Sequence, residues 1–564
     1  MSVKQKVSQP IAIKQPEVQA KRYDALFHDI ERGDLKLPMF QRDFVWDKEQ
    51  TAKLIDSILK GYPIGTFILW KTREELRSFR NLGGHDLPAT PKGDYAHFIL
   101  DGQQRITSLY AVRRGLRITR EGKEVDYRDI YIDLELKPGT DEQVVVASIP
   151  TKVVDGEEVP KRSISVHEAI TRSNIDLEDD YTRPEREIIF GYQMQLAGYD
   201  FSTVLIRDYP IEVACEVFAR INTGGKELSV FEIMVAKTYD EKLGFDLAEQ
   251  FDYLRDGYDD DDDEPCLRRA GFETISHAAV MQCVAAIAVK AVRSKDILRI
   301  KRDQFIAHWK PMKDSLFEAV DFVRHTLRVP VSQLVPYASI LVPLTYFFNK
   351  TKNRKPTAKQ RKLIEQWFYW VGYTYRYSSG AETKLAEDLA KMDKIIKELL
   401  PRYPAEELKV PDGAFDEWGF SAGDAACKTV LCLLAYHQPK SFDSNAVVNL
   451  DNSNLKIATS KNYHHFFPKA YLADNLPQAE ANLMVNITLI DGYGNKHRIG
   501  KKPPSVYIRK FADENDKIAD SLQTHLIGDL EDFGITTDDY DTFIKKRGLA
   551  MARVLRGKLN PKVA

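Results

Sequence analysis

Cysteine is scarce in this chain. Five occur in 564 residues, at positions 215, 266, 283, 427 and 432, and no two form a CxxC pair. That count and spacing exclude a disulfide framework and a cysteine-built zinc site, and they fit a reducing cytoplasm. No apolar run reaches the roughly 18 residues that a spanning helix needs, so no membrane partner is expected. The N-terminus, MSVKQKVSQPIAIKQ, has no apolar signal core. Charge of one sign is also missing in excess: 81 Lys+Arg face 83 Asp+Glu, a formal net charge of −2. A globally basic nucleic-acid binder is thereby excluded, and any phosphate-tracking surface must be local. There is no GxxxxGK[ST] phosphate loop and no internal repeat.

What is present is ordinary globular material, 43% apolar and 29% charged. The length suits three to four domains of about 150 residues each. The expected architecture is α+β and multidomain. Residues 1–20 read as a polar arm, 21–240 as a mixed lobe, 241–410 as a helical region and 411–564 as a separate unit set off by Pro401, Pro404 and Pro411. Asp47 and Gln50 have capping-box spacing ahead of the Leu54, Ile55, Ile58, Leu59 stripe, which predicts a helix over 47–60. Thr66–Trp70 and His97–Leu100 read as strands, with a helix from about Gln103 to Gly115. Residues 183–240 read as mostly helical, with a second capping box at Ser229 and Glu232. Asp259–Glu264 reads as a solvated acidic loop. The segment 334–344 reads as a buried helix kinked by Pro343. The aromatic stripe at Trp367 reads as helix core, as does the Tyr373–Ser379 segment with Arg376.

Two constellations carry chemistry. In the first, Asp101-Gly-Gln-Gln-Arg105 stands between an apolar strand and an amphipathic helix. A helix N-terminus attracts phosphate, Gly102 permits close backbone approach, and Arg105 can fork two phosphate oxygens. Asp101 could orient a water. The same residues read equally well as a simple helix start whose Arg105 pairs with Asp101. Upstream, Gln41 and Arg42 lie beside Phe40, Phe44 and Trp46, a set suited to phosphate recognition with stacking, or to an edge strand with core aromatics. Downstream, Arg220, Asn222 and Lys226 flank a Gly-Gly turn and could converge on a phosphate, or the turn could serve as a connector only.

In the second constellation, Tyr463-His-His-Phe-Phe-Pro468 precedes Asn486-Ile-Thr-Leu-Ile-Asp-Gly-Tyr-Gly-Asn495 and a Pro503-Pro504 helix start, a β-β-α order. Neighbouring residues on a strand face opposite ways unless it bulges. An imidazole can take a proton from water near neutral pH. Lys469, Lys496, Arg498, Lys501 and Lys502 add local positive charge.

Four motifs in one order, Gln41–Trp46, Gly61–Gly65, Asp101–Arg105 and Arg220–Gly225, resemble the ParB/sulfiredoxin-like N-terminal domain of the GmrSD family of modification-dependent restriction enzymes. The C-terminal segment resembles an HNH, or ββα-metal, nuclease. The resemblance implies a nucleotide site at Asp101, Gly102, Gln103, Gln104 and Arg105, with Arg220 and Asn222, and nucleoside triphosphate (GTP among the candidates) as substrate. It implies His465 as general base, His464 and Asn495 as metal ligands with His497 as an alternative, and Asn486 holding the base loop in register. Those two imidazoles and two carboxamides would gather around one divalent cation, Mg or Mn, with Ni or Zn as the imidazole-tolerant alternatives. DNA contact is expected from Gln41, Arg42, Trp46, Lys496 and Lys501. The implied activity is restriction of foreign, modified phage DNA by a cytoplasmic endonuclease, possible also as a homo-oligomer. The rival reading is a DNA-binding regulatory NTPase with a degenerate, non-cleaving HNH domain.

Overall fold

A computed structural model describes residues 15–37, 44–73, 76, 81–82, 85–86, 94–120, 123–136, 141–221, 229–240, 242–257, 264–455, 463–490 and 498–562. The chain divides into two compact units, Met1–Tyr239 and Asp240–Ala564. Both strands and helices are present, and helices dominate the second unit. Among the described residues no helix is long and apolar enough to cross a membrane.

The first unit is built on a five-stranded sheet. Its strands are β1 (Glu17–Arg22), β2 (Leu35–Lys36), β3 (Phe67–Thr72), β4 (Ala96–Asp101) and β5 (Asp200–Arg207), in the order β1-β5-β3-β4-β2. β5 pairs antiparallel with β1 and parallel with β3, and β3 runs antiparallel to β4. Helices α1 (Tyr23–Glu31), α2 (Lys48–Leu59) and α3 (Gln103–Arg114) pack on this sheet through Phe27, Ile55, Ile58, Ile106 and Tyr110, all buried. The Asp47 capping box is present on α2, because Asp47 accepts from Gln50 N while Gln50 reaches back to Asp47 N. Buried Asp56 of the same helix accepts from Val144 N and Val145 N at 2.7 and 3.2 Å.

The stretch 183–240 is mostly helical, as expected, but holds one strand. Helix α4 (Arg183–Gly198) ends before β5, and α5 (Ile211–Ile221) and α6 (Val230–Thr238) follow it. β5 buries Phe201, Thr203 and Leu205 on alternate positions. Period-two burial and β-branched Thr203, Val204 and Ile206 override the helical neighbourhood. The Ser229–Glu232 capping box is present on α6. Of the acidic run 259–264, only Glu264 lies within the described residues.

In the second unit, α7 (His277–Val289), α8 (Arg302–Asp321), α9 (Leu341–Lys350) and α11 (Ala381–Ile396) pack around one another. α10 (Ala358–Tyr373) packs against α12 (Ala425–Tyr436) and the final long helix, Tyr540–Leu559. Gln366 Nε2 of α10 donates to Leu559 O at 2.7 Å, so the helical region and the C-terminal segment share contacts inside one unit. Trp367, Phe368, Tyr369 and Trp370 are core residues. Pro343 does not kink a helix. It lies in the first turn of α9, where no N–H has an intrahelical acceptor, so the ring costs nothing. Arg376 and Tyr377 serve packing as well: both bond the carboxylate of fully buried Asp388.

Candidate functional site

Three of the four N-terminal motifs converge on the start of α3. Gly102 is its N-cap at φ +91°, and the Phe67 ring stands where a Cβ would project. Only glycine fits there. Gln104 is buried and its Oε1 accepts from Val45 N (2.8 Å) and Trp46 N (3.3 Å), which ties the Gln41–Trp46 motif to the helix. Trp46 is half-buried against the core, and its carbonyl accepts from Tyr127 Oη at 2.8 Å. Arg105 reaches the Gly61–Gly65 motif. Its Nη1 donates to Ile64 O (2.5 Å), and its Nη2 donates to Thr66 O (3.1 Å) and Asp101 Oδ2 (3.0 Å). The guanidinium also fills the space a Cβ on Gly65 would need.

Arg105 therefore does not present a free fork to a phosphate. Its fork is spent on two carbonyls and a carboxylate of the chain itself, and an incoming phosphate must displace one of them. Gln103 occupies the first turn of α3. Arg220 is exposed and paired with Glu216 (2.6 Å), one turn earlier on α5. Gln41, Arg42, Asn222 and Lys226 lie outside the described residues.

The C-terminal constellation folds as a hairpin and a helix. Strand β6 (Tyr463–His465) pairs antiparallel with β7 (Ile487–Leu489), with His464 opposite Thr488 and His465 opposite Ile487. Helix α13 (Pro504–Glu514) follows, with Pro504 at its first position. The ladder has no bulge, so alternation turns the two imidazoles to opposite faces. His464 is 2% exposed and bonds Thr488 Oγ1 at 3.0 Å. Thr488 Oγ1 donates its own proton to His464 O (3.3 Å) and so accepts from Nδ1–H. That leaves His464 Nε2 as a bare lone pair, buried and without a partner among the described residues. Burial first, then the neighbouring His465, His525 and Arg547, hold this imidazole far below its ordinary basicity.

His465 has the complementary tautomer. Asn482 Nδ2 donates to Phe420 O (3.0 Å), so its Oδ1 faces His465 Nε2 at 3.1 Å as acceptor. His465 therefore carries its proton on Nε2 and its lone pair on Nδ1. Burial pushes its pKa down to about 4, partly offset by the Asn482 bond. Asn486 is fully buried and brackets one residue. Its Oδ1 accepts from Phe467 N (2.8 Å) while its Nδ2 donates to Phe467 O (3.0 Å) and Ala481 O (2.9 Å).

The expected gathering of all four side chains around one ion is thus corrected. The imidazoles face apart, and the Asn486 carboxamide is consumed by backbone. Of the described members, His464 offers a cation a fully buried lone pair, with its other nitrogen anchored as metal-bound histidines require. Among the described residues no three His, Cys, Asp or Glu side chains form a metal-holding group. Asn495, His497 and Lys496 lie outside the described residues. Arg498 is not a free cation, because Asp443 and Glu514 both hold it. Lys469 and Lys501 are exposed.

Sequence reasoning missed Asn482 and Thr488. Asn482 belongs to no motif and Thr488 stands inside the Asn486–Asn495 segment with no role assigned to it, and each acts through a hydrogen bond that only the fold brings about.

Residues 23–239 match the family model described as the GmrSD restriction endonuclease N-terminal domain. The first unit therefore carries a GmrSD restriction endonuclease N-terminal domain. The match spans the whole sheet of the first unit apart from β1, and it takes in the DGQQR motif at 101–105. The chain is also similar to Uncharacterized protein MJ0686 of Methanocaldococcus jannaschii, 24% identical over 91% of this chain and 92% of the relative. That likeness runs through both units.

Proposed function

We propose that this chain is a metal-dependent DNA endonuclease that restricts modified phage DNA, with nucleotide hydrolysis in the N-terminal domain. The observation that carries the nuclease reading is the pair of opposed imidazole tautomers on one hairpin. His465 is neutral, fixed by Asn482, and offers Nδ1 to a water. It takes the proton as that water attacks the phosphorus and the P–O bond to the sugar breaks, the leaving oxygen taking a proton from solvent water, and a positioned base contributes about 10²–10⁴. Asn486 keeps the strand end bearing His465 and Phe467 in register. His464, with Asn495, would hold a divalent cation, which would supply charge stabilisation at the phosphate. The hairpin and α13 are read as the ββα-metal, or HNH, element.

In the N-terminal domain, the ParB-like reading places nucleoside triphosphate at Gly102, Gln103 and the first turn of α3. Arg105 would exchange its carbonyl bonds for phosphate oxygens, which links nucleotide occupancy to release of the 61–66 loop. Exposed Lys501 suits the DNA backbone.

Purified full-length protein with plasmid and Mg²⁺ or Mn²⁺, compared with His465→Ala, tests the nuclease. Nicking by the parent that disappears in the variant is expected. No nicking of any plasmid, modified or not, would leave the regulatory NTPase reading in its place. Phosphate release from a nucleotide panel, compared with Arg105→Ala, tests the N-terminal site.

A further inference from the structure

His464 is not the only buried histidine behind the hairpin with an idle nitrogen. His525, at the end of α14 (Ile518–Thr524), is 0% exposed. Its Nε2 sits 2.9 Å from Lys440 O, and a carbonyl can only accept, so the proton is on Nε2. Its Nδ1 is a lone pair, buried and unpartnered among the described residues. Beside it, on the final helix α15 (Tyr540–Leu559), stands Arg547, also 0% exposed. Arg547 donates Nε to His525 O at 3.1 Å and Nη1 to Val485 O, and its Nη2 has no acceptor. No carboxylate partners this guanidinium among the described residues.

These residues are neighbours of the hairpin. The Phe442 ring lies 4.9 Å from the His525 ring and 6.5 Å from the His464 ring, and both His525 and Arg547 depress the basicity of His464. Buried polar atoms without partners are rare, and these three lie on neighbouring residues, two of them on rings that both flank Phe442 and the third on the arginine bonded to His525 O, so one ligand reaching all three would satisfy them. Two are lone pairs on anchored imidazoles, the arrangement found where histidines hold a metal. The third is a donor, which suits an oxygen carried by that metal. A like-charged guanidinium disfavours a bare dication, so the oxygen should be anionic.

We propose that His525 is a second imidazole ligand of the cation held by His464, and that Arg547 Nη2 binds an anionic oxygen, of the phosphate class, sharing that ion. This rests on the nuclease reading for His464 and goes beyond it. Two imidazoles favour Mn²⁺, Ni²⁺ or Zn²⁺ over Mg²⁺.

The test is Mn²⁺ binding by the full-length protein. At one equivalent of Mn²⁺, nitrogen spin-echo modulation should count two imidazoles in the parent and one in His525→Gln. Titration calorimetry should show His525→Gln binding at least about tenfold more weakly with its melting temperature retained, the loss common even for outer-shell partners. Inorganic phosphate should tighten Mn²⁺ binding in the parent and not in Arg547→Met. A single imidazole in the parent overturns the His525 assignment whether or not the variants fold, and an absent phosphate effect overturns the role of Arg547. If His464→Gln loses Mn²⁺ while His525→Gln does not, the His525 proposal fails and the nuclease reading stands. If neither variant loses it, both fail.

Discussion

His465 Nε2 donates to Oδ1 of Asn482 at 3.1 Å, and that single bond decides which ring nitrogen can act as a base. Asn482 is itself held by Phe420 O at 3.0 Å, so its amide cannot flip without losing a bond. The candidate base is thus oriented by a residue seventeen positions away that no motif marks.

Asn482→Ala should lower plasmid nicking by about ten- to a hundredfold, the range for removing a partner that orients a functional histidine. His465→Ala should lower it further, by about 10²–10⁴. The double variant should be no worse than His465→Ala. Nicking rates for the three variants check this, and additive losses would mean Asn482 acts independently of His465.

Stability should fall with acid in a defined window. His465 and His525 are held at about 4 and about 3, chiefly by burial, and His464, His437 and His97 are also held below the ordinary value of about 6.5. Between those values and 6.5 the unfolded chain binds protons that the folded chain refuses. Stability is therefore fully present above about pH 6.5 and is lost as pH falls toward 4. Urea midpoints measured at pH 7, 6, 5 and 4.5 should decline, and a flat series would contradict the buried neutral imidazoles.

Gly102→Ala should destabilise the GmrSD domain by about 1–3 kcal/mol, because the residue sits at φ +91° and its Cβ would enter the Phe67 ring. Gly65→Ala should do likewise by displacing Arg105. Gly156→Ala, at φ +86° but with open space around it, should cost less. Thermal melts of the three variants check the order.

Asp388→Ala should be the most damaging change in the helical unit, at about 3–5 kcal/mol. The carboxylate is fully buried and accepts from Trp367 Nε1, Arg376 Nε, Tyr377 Oη and Lys391 Nζ. Its removal takes the buried carboxylate from Lys391, 16% exposed, and leaves Arg376, 11% exposed, with Glu387 as its remaining carboxylate. A loss in chemical denaturation comparable to that of a surface Asp variant would refute the estimate.

The capping boxes at Asp47 and Ser229, the strands that hold Trp70 and Leu100, the α3 start at Gly102 and the Pro504 helix start were all legible in the sequence, because each depends on residues within four positions of one another. β5 was not legible. Its alternation is short, and its placement between β1 and β3 pairs residues more than 130 positions apart. Pro343 was misread because the helix boundary at Leu341, set by tertiary packing, decides whether the proline is interior or in the first turn.

The sequence by itself determined the candidate residues: which imidazoles, carboxamides and glycines exist, and that adjacent histidines on a regular strand must face apart. Tertiary structure alone decided what each nitrogen can do. The tautomers of His464, His465 and His525 follow from Thr488, Asn482 and Lys440, and the engagement of Arg105 follows from two carbonyls on the loop before β3. Side-chain identity is local, whereas hydrogen-bond partnership and burial are set by whatever distant chain the fold brings alongside.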